Sequence, residues 1–291
     1  MEQRKKQNHK FFIYLLIFLL TVENGASCQP KASKHFLLIH GAAHGAWSWY
    51  RIVPLLRLSG HEVTTIDLAA SGIDPRQPES LRSLSDYIRP AIDFVASLPP
   101  QERVILVGHS FGGLAISKVM ENFPNKISVA VFLTAFMPGP TFNISTLFEE
   151  YDRKELPELD NSYSYDDGPD NPPTTELWGP IFLRTFLYQL SPIEDWTLAT
   201  TLVRPRPLFT DEDISRVLML TGENYGTVRR VFIIAEEDMI IKKDFQDLMI
   251  EKNPPDEALS ISGSDHMVMM SRPLDLWASL LGIAAKYDYL L

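Results

Sequence analysis

From His35 onward, short unbroken apolar runs alternate with longer stretches of helical spacing. His35-Phe-Leu-Leu-Ile39 is apolar throughout its interior and ends at His40-Gly41, which reads as a strand buried on both faces. Trp47 to Leu58 has helical spacing and is closed by Gly60. Glu62-Val-Thr-Thr-Ile66 is a second strand, followed by a loop from Asp67 to Pro78. Ser83 to Leu98 reads as a helix, with Ser83 and Asp86 placed to cap it and Pro90 placed to bend it. Arg103-Val-Ile-Leu-Val107 is a third strand, Leu114 to Phe123 a helix stopped by Pro124, and Ile127 to Leu133 a fourth strand.

The rhythm then breaks. Residues 138–207 begin Pro-Gly-Pro and end Arg-Pro-Arg-Pro, with acidic stretches, a turn-rich run from Asp166 to Pro173, and clusters such as Trp178-Gly-Pro-Ile-Phe-Leu183. This segment reads as a mainly helical cap inserted between two halves of one domain, 34–137 and 208–291. The alternation resumes with a strand at Val228 to Ile234, a helix at Phe245 to Ile250, a strand at Ala258 to Ser262 and a helix at Pro273 to Tyr287. Strands and helices that alternate in this way predict an α/β fold, a mostly parallel sheet flanked by helices.

The first 28 residues follow a different pattern. Arg4, Lys5, Lys6 and Lys10 precede an uncharged run from Phe11 to Val22, and Ala26-Ser27-Cys28 offers a cleavage site. Basic, apolar and then small residues describe a secretory signal peptide, and the run is short for a spanning helix of about 20 residues. A cleaved leader sends the chain into the secretory pathway or outside the cell, where Asn143-Ile144-Ser145 would be a glycosylation sequon. A retained leader would anchor it to a membrane.

Composition narrows the chemistry. The formal net charge of −10 argues against a nucleic-acid partner, which needs a concentrated basic face. A single cysteine, Cys28, excludes an intrachain disulfide framework and a thiolate zinc site.

Val107-Gly108-His109-Ser110-Phe111-Gly112-Gly113 follows a predicted strand and opens a predicted helix. That context turns Gly-x-Ser-x-Gly into a nucleophile elbow, in which side chains at Gly108 and Gly112 would collide with neighbouring backbone. Ser110 is the expected nucleophile. A serine hydroxyl needs a base, and of seven histidines only His266, in Gly263-Ser-Asp-His266, fits the chain order Ser, acid, His. His109 adjoins Ser110 and is expected to point away from the elbow. The acid follows an earlier strand end at Ala235-Glu236-Glu237-Asp238. Asp238 is preferred over Glu237, and Asp265 is too close to His266 in sequence to face it. The oxyanion donors expected are the backbone N–H groups of Phe111 and Ala42, the latter in the loop after the first strand. Met267 and Phe111 flank catalytic positions and are expected at the pocket; Trp178 and Phe182 are further candidates from the cap.

These residues resemble the plant methylesterases of the α/β-hydrolase superfamily. The resemblance runs from about residue 34 to 288. It rests on His35-Phe-Leu-Leu-Ile-His-Gly-Ala-Ala-His-Gly-Ala-Trp-Ser-Trp-Tyr50, Asp67-Leu-Ala-Ala-Ser-Gly72, Val104-Ile-Leu-Val-Gly-His-Ser110 and Gly263-Ser-Asp-His-Met267. It implies hydrolysis of small apolar methyl esters of signalling acids, such as methyl jasmonate, methyl salicylate and methyl indole-3-acetate, with no metal or cofactor. Three features depart from the family pattern: the N-terminal leader in a family regarded as cytoplasmic, Ala43 where many members carry cysteine, and Phe111 where leucine is frequent. Hydroxynitrile lyases share the branch, but they carry threonine and lysine where this chain has Gly41 and Met267, and glutamate where it has His109. A hydrolase-fold receptor with little turnover is the other alternative.

Overall fold

The computed structural model describes residues 33–152 and 156–287. The leader expected over residues 1–28 lies outside them. Six strands form one parallel sheet: β1 (His35–Ile39), β2 (Glu62–Ile66), β3 (Val104–His109), β4 (Ile127–Leu133), β8 (Arg230–Ala235) and β9 (Glu257–Ile261), in the order β2-β1-β3-β4-β8-β9. The chain steps outward from β1 to β2, then crosses back to place β3 on the other side of β1. A reversal of this kind opens a crevice at the carboxyl ends of the strands, where α/β sheets bind ligands.

Side chains alternate across the sheet, and helices cover both faces. Leu37, Ile39, Leu106 and Phe132 share one core cluster with residues of α2 (Leu84–Ser97), α3 (Gly112–Asn122) and α7 (Lys243–Lys252). Phe36, Leu38, Ile105 and Val131 share the other with α1 (Ile52–Leu58) and α8 (Pro273–Lys286). That double burial is why β1 has no polar position in its interior.

Two local expectations change. The helix expected over Trp47 to Leu58 is a 3-10 turn at Ala46–Trp49 followed by α1 from Ile52. Pro54 explains the break: proline has no N–H and is accommodated in a helix's first turn, which a start at Ile52 provides. Ser83 caps α2 as expected, its hydroxyl accepting from Ser85 N–H at 3.1 Å, and α2 runs through Pro90.

Between β4 and β8 lie α4 (Ile144–Asp152), helical turns over residues 180–187, α5 (Ile193–Leu202) and α6 (Asp211–Val217). They are joined by a small antiparallel sheet of β5 (Ser162–Ser164), β6 (Thr175–Leu177) and β7 (Arg206–Pro207), which the hydrophobic pattern does not predict. Among the described residues no helix is long and apolar enough to cross a membrane.

Candidate active site

Strand register brings the candidate residues to one edge. Ile39 of β1 pairs with Gly108 of β3, and Ala235 of β8 pairs with Ile261 of β9. The loops that follow these strands carry His40–Gly45, Ser110, Asp238 and His266, so all emerge at the carboxyl edge of the sheet.

Ser110 occupies the turn between β3 and α3 with φ of +54°, a left-handed backbone that costs an L-residue about 1–3 kcal/mol. The turn closes because its neighbours lack side chains. A Cβ on Gly112 would lie 2.5 Å from the His40 carbonyl oxygen, and one on Gly108 would lie 2.8 Å from that of Gly112. Ser110 is buried yet lines a cavity.

His266 Nδ1 lies 2.7 Å from Asp238 Oδ2, with both side chains buried. A carboxylate can only accept, so the imidazole proton sits on Nδ1 and the Nε2 lone pair is left for a proton from elsewhere. Every lone-pair direction of Asp238 is used. Thr134 Oγ1 donates to Oδ2 at 2.5 Å, and the N–H groups of Ile240 and Ile241 donate to Oδ1 at 2.7 and 3.0 Å. Glu237 instead accepts from Ser264 N–H at 3.0 Å, and Asp265 accepts from the N–H groups of Leu190 and Ser191 at 3.0 and 2.7 Å. Neither carboxylate is paired with the His266 ring.

Two other histidines shape the loop after β1. Leu68 N–H donates to His40 Nε2 at 3.0 Å, so His40 keeps its proton on Nδ1 and donates it to the Gly41 carbonyl at 2.7 Å. Tyr188 O–H reaches His44 Nε2 at 2.6 Å, and His44 Nδ1–H donates to the Ala42 carbonyl at 2.8 Å. Arg204 N–H takes the Ala43 carbonyl at 3.0 Å. Three consecutive carbonyls are thus bound. In a trans peptide the C=O and the following N–H point opposite ways, so the grip on Gly41 C=O sets the direction of Ala42 N–H. Neither Ala42 N–H nor Phe111 N–H donates to any described residue. Burial pushes the pKa of His44 down to about 3 and lowers that of His40. Burial, with Asp265 and Asp195 nearby, raises the Tyr188 phenol, which keeps its proton.

His109 does not simply point away from the elbow. Its Nε2–H donates to the His266 carbonyl at 2.8 Å, and the two rings lie 4.7 Å apart. Burial and the neighbouring His266 hold it well below the usual imidazole range, so it is a neutral packing partner of the His266 loop.

A cavity of about 350 Å³ reaches Ser110. Ala42, Phe111 and Trp178 line it as expected, together with Phe136, Phe148, Tyr151 and Phe209, which the sequence reading missed. Phe182 lines an adjoining cavity of about 160 Å³. Met267 is a correction: it lines neither. Its N–H donates to Asp265 Oδ1 at 3.0 Å, its carbonyl accepts from Met270 N–H at 2.7 Å, and its side chain is fully buried in a core cluster. Arg206 lines both cavities and carried no sequence signal for such a place.

Residues 36–280 match the alpha/beta hydrolase family. Methyl jasmonate esterase 1 of Vitis vinifera is 51% identical over 261 residues, covering 89% of this chain and all of that protein. Salicylic acid-binding protein 2 of Nicotiana tabacum is 47% identical, also over 89% of this chain and all of its own length. The crystal structure of tomato methylketone synthase I with 2-tridecanone superposes with a TM-score of 0.85 at 56% identity, covering 88% of this chain and all of that one. With the elbow, the sheet order and the alignment in agreement, the chain belongs to the alpha/beta hydrolase family and, within it, to the methylesterases.

Proposed function

We propose that the protein is a serine esterase that hydrolyses methyl esters of small apolar acids, with methyl jasmonate, methyl salicylate and methyl indole-3-acetate as the candidate substrates. The observation that carries this reading is the pair of undonated N–H groups, Ala42 and Phe111, beside a strained Ser110 at the edge that also presents the His266–Asp238 pair. Relatives named for methyl jasmonate and salicylic acid, and a neighbour solved with 2-tridecanone, support an apolar acyl group of modest size.

In this mechanism His266 Nε2 takes the Ser110 hydroxyl proton as Oγ attacks the ester carbonyl. Asp238 holds the ring and stabilises the imidazolium. The tetrahedral oxyanion is held by the Ala42 and Phe111 N–H groups. His266 returns the proton to the departing methoxide, releasing methanol and leaving an acyl-serine. A water deprotonated by the same nitrogen then attacks the acyl carbonyl, and the acid leaves as Oγ regains its proton. The phenylalanine at position 111 supplies this contact through its backbone, so its difference from the frequent leucine leaves the donor in place.

The test is turnover of the three esters by the purified protein beside its Ser110→Ala variant. The variant should lose about 10⁴-fold or more in kcat while keeping its melting temperature. An undiminished rate would sink the assignment. A folded protein that binds a free acid and turns over no ester would favour the receptor reading.

A further inference from the structure

Among the described residues, Arg206 is the only cationic side chain lining the cavity that reaches Ser110, and the reaction described above does not use it. It lies on β7 directly opposite Glu176 on β6. Its Nε and Nη2 both reach Glu176 Oε2, at 2.7 and 2.6 Å. The guanidinium carbon stands 5.5 Å from the centre of the Trp178 ring. Pairing on one side and an aromatic face on another hold the fork in one orientation before any ligand arrives. Among the described residues no acceptor takes Nη1. Arg206 also lines the smaller second cavity, as do Tyr151, Trp178 and Ile240, so it stands where the two meet.

We propose that Arg206 forms a polar subsite at the boundary of the acyl cavity. It takes a neutral hydrogen-bond acceptor, a ketone oxygen above all, carried by the acyl group at the end remote from the ester. The inference rests on Ser110 as the nucleophile, which fixes where the ester sits.

Three observations choose a neutral acceptor. Glu176 already balances the guanidinium charge, and Glu176 is itself fastened by Asn161 Nδ2 and Tyr163 O–H at 3.0 and 3.2 Å, so it does not yield to an incoming anion. Asp211 lines the same cavity and repels a second carboxylate. A guanidinium has donors and no acceptor, so a donor such as an indole N–H gains nothing from it. Among the candidate esters, methyl jasmonate has a ring ketone distant from the ester. The hydroxyl of methyl salicylate sits beside the ester, and methyl indole-3-acetate presents an N–H. The subsite therefore ranks methyl jasmonate first.

The experiment compares kcat/KM for methyl jasmonate and for the same methyl ester with the ring ketone replaced by CH2. A hydrogen bond from a charged donor should favour the ketone by about ten- to a hundredfold. In Arg206→Met that ratio should collapse toward one, whatever happens to the absolute rates, and Arg206→Lys should give an intermediate ratio. If Arg206 merely pairs β6 with β7, both esters fall together and the ratio stays at its wild-type value, which overturns the proposal. So does a wild-type ratio near one. Should Arg206→Met alone leave Glu176 too exposed to fold, the double variant Glu176→Gln/Arg206→Met removes both charges and yields the same ratio. If wild type hydrolyses neither ester, the esterase reading has failed, and the ratio is then read from the dissociation constants of the two free acids. Equal constants would overturn the subsite as well.

Discussion

His40 carries its ring proton on Nδ1, against the Gly41 carbonyl, and accepts Leu68 N–H at Nε2. A side chain that only filled the same space would leave that carbonyl free to turn, and with it the Ala42 N–H of the same peptide. His40→Phe should therefore lower kcat by about 10- to 1,000-fold, the cost of losing one oxyanion donor, with KM changed much less. His40→Asn places an amide N–H where Nδ1 was and should recover part of the loss. Equal kcat in wild type and His40→Phe would remove the residue from the machinery. Ser110, Asp238 and His266 were legible because each lies at a predicted strand end and the chain order is fixed by chemistry. Thr134, which grips Asp238 across 104 residues of sequence, left no such trace. The same holds for Tyr188, 144 residues from His44.

At the scale of elements, the elbow depends on how closely α3 approaches the loop after β1. The Cβ of Gly112→Ala would meet backbone oxygens of His40 and Ile39 at 2.5 and 2.9 Å, and backbone cannot swing aside as a side chain does. That variant should lose roughly 1–3 kcal/mol in urea unfolding and lose activity in the same preparation; wild-type stability with full activity would contradict the packing argument. The parallel sheet was legible since its central strands β1, β3, β4 and β8 are buried on both faces and read as near-continuous apolar runs, while the edge strands β2 and β9 carry polar residues. The β5-β6-β7 sheet was not, since strands of two or three residues are too short to show a period of two. Its partners are set by Glu176, Arg206 and Asn161, contacts made far apart in sequence. The part of the cavity wall made by Phe136, Phe148, Tyr151 and Phe209 was illegible for the same reason.

For the molecule as a whole, three buried histidines, His40, His44 and His109, have pKa values lowered by burial. The folded state holds them neutral, while the unfolded chain protonates them near 6.5. Their contribution is complete above that value and is lost as pH falls toward the folded values. Each costs up to about 1.4 kcal/mol per pH unit across that window. Asp265 works the other way, because burial raises its carboxyl and acid relieves that penalty. Paired carboxylates such as Asp74, held at about 2, lose their contribution only below about pH 4. Urea midpoints should therefore drop between pH 7 and pH 5, before the carboxylates titrate. A flat profile across that interval would show that the histidines charge without penalty.

The bonds that join the segment between β4 and β8 to the rest of the unit carry a consequence for engineering. Tyr188 reaches His44, Arg204 N–H holds Ala43, and Leu190 with Ser191 holds Asp265 beside His266. A graft that replaces this segment with a relative's, to admit a different acid, exchanges half of each bond. Chimeras that keep Tyr188 and the backbone course at 190–191 and 204 can vary the wall at Phe148, Tyr151 and Phe209 and stay competent. Chimeras that vary the fastenings will lose turnover on every substrate alike, and a screen of acyl preference alone would mistake them for failures of fit.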